Sequence, residues 1–152
     1  MKYAFATAAV ALVAALGGGA AMAQSQTFAS PDEAIKFRQA TLKELGQNFK
    51  AIADMAGGRA AFDAAKADSS AARAAELIKQ PWAAFGPGTE GGKAQPAIWQ
   101  EQDKFKAAAA RAEEEVGKLA AAAKTGNIDA IKAAVGAAGG SCKACHDDFR
   151  KR

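Results

Sequence analysis

Five consecutive residues near the C-terminus, Cys142, Lys143, Ala144, Cys145 and His146, spell C-x-x-C-H. On a helix, two cysteines three positions apart face the same way. Both thiols can then add to the two vinyl groups of one haem while the next residue points its imidazole at the iron. The pattern reads as a covalent c-type haem site, one haem c per chain, with thioethers from Cys142 and Cys145 and His146 as the metal ligand. Three other uses of these residues compete. A thioredoxin-like redox pair needs the cysteines at a helix start beside a sheet. A closed zinc site needs four ligands, and Cys142, Cys145 and His146 are the only local soft ones. A plain disulfide leaves His146, the one histidine in the chain, without a role.

The elements that must position this motif follow from punctuation and period. Ser30, Pro31 and Glu33 form a helix start with a capping box, and Gly57-Gly58 closes that helix. Ile35, Arg38, Leu42, Leu45, Phe49, Ile52 and Ala56 recur at steps of three and four, the seam of a bundle helix. A second helix is expected over residues 63–80, with Ala75, Leu77 and Ile78 toward the core. Residues 81–96 hold three prolines and four glycines, so a long loop carrying Trp82 and Phe85 is expected there. A third helix follows Pro96 and runs to Gly126, its stripe passing through Ile98, Gln102, Phe105, Ala109, Ala112, Val116, Leu119 and Ala123. The fourth starts near Asn127 and places Ile128, Ile131, Val135, Ala138, Cys142, Cys145 and Phe149 on one face. Four such helices joined by roughly six, sixteen and two residues suit an all-α, antiparallel up-down-up-down four-helix bundle.

The far side of the iron decides function. An electron carrier commonly places Met or a second His there. Met55 is the remaining candidate once the leader described below is removed, and it lies about 20 Å along the helix from Leu42 at ~1.5 Å per residue. In this topology the end of helix four lies beside the start of helix one, near Arg38 and Leu42. The distal face is therefore expected to be blocked by Leu42, leaving the iron five-coordinate, although Leu42 as simple core fits the same spacing. A six-coordinate electron-transfer cytochrome of the same bundle type is the alternative. Arg38 on an apolar seam wants an anion, which a haem propionate supplies, unless it snorkels to solvent. Arg150, one turn after His146, suits either the proximal face of the ring or a solvated helix end. Phe85 is a candidate haem contact, and Trp82 and Trp99 either join that wall or pack as ordinary core.

Composition narrows the class. The 152 residues are 50% hydrophobic and 24% charged, enough for one packed core. Eight Phe and two Trp argue against disorder, and a single Tyr with no alternating stretch argues against a sheet-based enzyme. Lys2, the apolar run over 4–16 and the Ala21-Met22-Ala23 signal read as a cleaved secretory leader over 1–23, so that the mature chain is 24–152. It would carry 19 basic and 16 acidic residues, a net of +3 that is too mild for a nucleic-acid partner. Export implies the periplasm, with no membrane insertion after cleavage.

Four segments together resemble the cytochrome c′ family: 30–39 (SPDEAIKFRQ), 81–92 (PWAAFGPGTEGG), 96–99 (PAIW) and 141–150 (SCKACHDDFR). The placing of C-x-x-C-H at the C-terminus of a four-helix chain is what makes the likeness specific. Leu45 stands where family members often have Met, and 57–79 follows the pattern loosely. The resemblance implies a left-handed antiparallel bundle, commonly a homodimer, with a five-coordinate high-spin haem that binds nitric oxide and carbon monoxide. It further implies that Cys142 and Cys145 carry the thioethers and that His146 is axial. Arg38 would lie by a propionate, Leu42 would occlude the distal face and Arg150 would be the proximal arginine. The expected function is gas binding or nitric oxide buffering with single-electron transfer to an unidentified redox partner. No turnover enzyme is expected, because no distal acid or base is visible. A haem-free helical protein held by a metal or a disulfide is the reading from another class.

Overall fold

The computed structural model describes residues 27–152, so the expected leader lies outside the described residues. Five α-helices follow in order: α1 (Pro31–Ala56), α2 (Ala64–Leu77), α3 (Ala97–Gln100), α4 (Gln102–Lys124) and α5 (Ile128–Phe149). The long ones, α1, α2, α4 and α5, form the antiparallel four-helix bundle that the apolar stripes require. Among the described residues, no helix is long and apolar enough to cross a membrane.

The caps form as their residue types dictate. Ser30 accepts from the Glu33 amide at 3.2 Å, and Glu33 Oε2 accepts from the Ala29 amide at 3.1 Å, a reciprocal box one residue wider than the usual form. Asp63 caps α2 through the Lys66 amide at 3.0 Å. Between α4 and α5 the chain reverses at Gly126, whose φ of +66° a side chain would resist, and Asn127 then accepts from the Asp129 and Ala130 amides.

The core differs from the expected stripes where alanine carries them. Helix α2 buries Ala67, Ala71, Ala74 and Leu77, and only Ala75 of the expected trio lies less than fully buried. Small side chains let α2 approach α1 and α4 closely, a packing that a search for bulky residues misses. The fit is expected to be intolerant: Ala71→Leu should lower unfolding stability by about 1–3 kcal/mol through overpacking, read as a shift in the urea midpoint. Ile52, Leu119, Ile131 and Val116 fill the rest of the interior.

Two element boundaries depart from expectation. Helix α2 stops at Leu77, because Gln80 bonds back to the Leu77 carbonyl and Pro81 opens a 3-10 turn over Pro81–Phe85 inside the expected loop. The third helix is not continuous. Glu101, at φ −120° and ψ 51°, leaves the helical basin and separates α3 from α4. The stripe stays in step across the break, since Ile98 and Phe105 are both buried, so periodicity alone could not reveal it. Tertiary contacts hold the short α3 turn: Trp99 donates its indole N–H to the Gly86 carbonyl at 2.9 Å, and Ile98 packs with Phe105 and Phe149.

Candidate functional site

Helices α1 and α5 meet where Phe49 rests against Gly139, with room for a Cβ there only at van der Waals distance, 3.5 Å. A cavity of about 660 Å³ reaches both helices, with the loop after α2 and the bundle interior supplying the rest of its wall. That volume is ordinary for a site that engulfs an organic cofactor. All seven residues singled out from the sequence, Arg38, Leu42, Phe85, Cys142, Cys145, His146 and Arg150, line it. They come from residues more than a hundred positions apart in the chain, and the bundle topology brings them together.

The motif sits as its spacing requires. Cys142 and Cys145 are free, half-buried thiols on the cavity wall, and His146 and Arg150 lie exposed along it. Burial raises the Cys142 thiol, and burial together with Cys142 and Asp148 pushes Cys145 up to about 11. Both stay protonated at neutral pH, the reverse of the activated thiolate of a redox pair. Although His146 is exposed as a residue, partial desolvation of its imidazole against the cavity wall and the neighbouring Arg150 push it below its usual range, with Asp147 opposing. A neutral imidazole, the form with a lone pair to give, is favoured. Among the described residues no group of three or more His, Cys, Asp or Glu is placed to hold a metal ion, so the zinc alternative finds no donor set.

Arg38 is 3% exposed. It neither snorkels to solvent nor waits unpaired: Nη1 donates to the Ala84 carbonyl at 2.8 Å and to Thr89 Oγ1 at 3.2 Å, and Nη2 to the Gly91 carbonyl at 3.2 Å. Its charge lies over the Phe85 ring at 4.4 Å and faces Trp99 at 5.7 Å. Burial lowers its pKa and Glu90 opposes the fall, but a guanidinium stays charged under all physiological conditions. Nε–H and a second Nη2–H are not used by these bonds, and Arg38 lines the cavity. The loop can be held this way because it runs tight along α1: a Cβ on Gly91 would sit 2.9 Å from Ile35 Cδ1. Arg38→Lys is expected to cost about 1–3 kcal/mol, since a point charge cannot serve three acceptors in that fork geometry. Hydrogen exchange in residues 84–91 should accelerate, and the denaturant midpoint should fall.

A second part of the same loop holds the end of α5. The Gln95 amide donates to the Phe149 carbonyl at 3.0 Å, the Lys151 amide to the Lys93 carbonyl at 2.8 Å, and Gln95 Nε2 to the Arg150 carbonyl at 3.3 Å. The turn that carries His146 is thereby anchored to the loop that carries Phe85.

Of the other aromatics, Trp82 lines the cavity and Trp99 does not; Trp99 packs against Ile98, Phe105 and Phe149, which do line it. Phe49, Phe105 and Phe149 also form its wall and were expected only as core. The signal for two of them was present: Phe49 is two turns from Leu42 on one helix face, and Phe149 one turn from Cys145. Met55 is buried in the bundle core and does not line the cavity.

The residues fit a haem. Two thiols and one imidazole at the edge of a largely apolar cavity suit a group that brings its own equatorial ligands. The one buried side-chain polar atom without a hydrogen-bond partner among the described residues, Trp82 Nε1, belongs to a residue of this wall. Unpaired buried donors are rare in folded chains, so a partner supplied within the cavity accounts for it well.

Comparison with known proteins agrees with this geometry. The family model described as Cytochrome C' matches residues 33–150. The cytochrome c' of Rubrivivax gelatinosus is 45% identical over 128 residues, 82% of this chain and 99% of that one. That of Alcaligenes xylosoxydans xylosoxydans is 42% identical over 125 residues, 82% of this chain and 98% of that one. The crystal structure of the Rubrivivax protein superposes with a TM-score of 0.80 at 45% identity, covering 82% of this chain and all of the other. A nitric oxide complex of a variant cytochrome c prime from Alcaligenes xylosoxidans superposes with a TM-score of 0.79 at 41% identity, covering 83% of this chain and 100% of that one. With its four long helices, its C-terminal C-x-x-C-H on the cavity wall and relatives aligned over their full length, the chain belongs to the cytochrome c′ family.

Proposed function

We propose that the chain is a periplasmic c-type haem protein whose five-coordinate iron binds nitric oxide or carbon monoxide, so that it buffers nitric oxide and passes single electrons. The observation that carries this reading is the cavity that Cys142, Cys145, His146, Leu42 and Arg38 share. One haem c per chain would be held by thioethers at Cys142 and Cys145, with His146 as its axial ligand. Bound there, the haem supplies an iron that takes up a diatomic gas or an electron. The rest falls to the side chains lining the cavity: Leu42 would crowd an incoming ligand with hydrocarbon, Phe85 would close an apolar wall, and Arg38 and Arg150 would offer cationic donors to the haem periphery. Met55, packed in the bundle core, offers no sixth ligand. The nitric oxide complex of the Alcaligenes relative supports gas as the ligand class. The periplasmic location rests on the leader, and a homodimer is the assembly we expect from the family resemblance.

Optical and electron paramagnetic resonance spectra of the mature holoprotein, oxidised and reduced, with and without nitric oxide, test the reading. A high-spin ferric signal and a ferrous spectrum that shifts with gas are expected. A low-spin spectrum indifferent to gas would overturn it and leave an electron carrier.

A further inference from the structure

Helix α1 carries a glycine in its middle, Gly46, a residue that weakens a helix relative to alanine. Nothing in the fold demands it there. Its φ is not positive, and a Cβ built on it meets no atom within 4 Å, so alanine would fit without strain. Gly46 is exposed, lines the same cavity as Leu42 and follows it by four residues, one turn along the same face. Helical side chains lean toward the N-terminus, so a side chain at 46 would lie back over the turn that carries Leu42. Glycine leaves that space as a notch beside the leucine.

Resting on the distal role proposed for Leu42, we infer that Gly46 is a specificity-determining position for gas binding: its notch receives the Leu42 side chain when a ligand displaces it. A side chain moves aside only into volume that is already empty, and the space at Gly46 is open. The half-buried Leu42 has such volume next to it, supplied by the missing side chain one turn on. Filling the notch confines Leu42 to its blocking position, so ligand binding weakens without any change at the iron's own ligand.

The experiment is a double-mutant cycle on the holoprotein with carbon monoxide as probe. Gly46→Ala is expected to lower affinity and slow association by about tenfold, the lower edge of what one methyl-sized group makes in a fitted apolar site. Gly117→Ala is the control: it is an exposed glycine within α4, equally free of neighbours within 4 Å and not part of the cavity. Both variants should raise the thermal midpoint slightly, which establishes folding independently of ligand. In a Leu42→Ala background the effect of Gly46→Ala should vanish, because no side chain is left to confine. Three outcomes overturn the inference: Gly46→Ala with unaltered affinity, Gly117→Ala with the same loss, or Gly46→Ala equally harmful without Leu42. Leu42→Ala with unaltered affinity would instead overturn the distal reading beneath it.

Discussion

Replacing both Cys142 and Cys145 by alanine is expected to give a protein without covalently held haem. Its denatured mass should be that of the polypeptide alone, and acid–organic solvent should strip any residual colour. The two thiols lie half-buried on the cavity wall three positions apart on α5, the placement from which both can join one planar group. Either single variant retains one thioether and should keep its haem through extraction. The double variant also leaves the walls of a cavity of about 660 Å³ without their filling, including the rings of Phe85, Phe105 and Phe149. Lost contacts on that scale should lower the thermal midpoint by at least about 10 °C, since each kcal/mol is worth roughly 3 °C in a chain of this length. The wild-type chain purified from an exporting host with no haem-associated mass would remove the haem assignment altogether.

Leu42→Ala is expected to raise carbon monoxide affinity by about 10- to 100-fold. A ligand reaching the distal face has to push the leucine aside, an intrusion comparable to overpacking a fitted site, about 1–3 kcal/mol. Removing the side chain returns that energy to binding, at about 1.4 kcal/mol for each factor of ten. The same substitution should cost only about 1–2 kcal/mol of stability, below the usual core range, because Leu42 is half-buried. Equilibrium titration of the ferrous protein measures the first effect and a urea melt the second. Unaltered affinity would mean that Leu42 is wall and not gate.

The site was more legible in the sequence than parts of its scaffold were. C-x-x-C-H names its chemistry through spacing alone, and Arg38 stood out as a charge on an apolar seam. What that charge meets was not legible. The Ala84 and Gly91 carbonyls and Thr89 Oγ1 lie 46 to 53 positions away in a loop whose path no periodicity describes. The break at Glu101 was hidden because Ile98 and Phe105 remain in helical step across it. Helix α2 was blurred because its buried stripe is Ala67, Ala71 and Ala74, which look alike on a face and off it.

By itself, the sequence determined the class of fold, the position of the four long helices and which residues to propose as the ones that bond a haem. These follow from local physics: capping hydrogen bonds, a 3.6-residue apolar period, and two thiols and an imidazole within five positions. Only the tertiary structure decided that Trp82 walls the cavity while Trp99 does not, that Arg38 is held by backbone carbonyls, and that Gly46 leaves a notch one turn from Leu42. Those outcomes depend on how far apart α1 and α5 stand and where the intervening loop lies between them. Both are set by the sum of many small packing contacts and not by any residue's own preference.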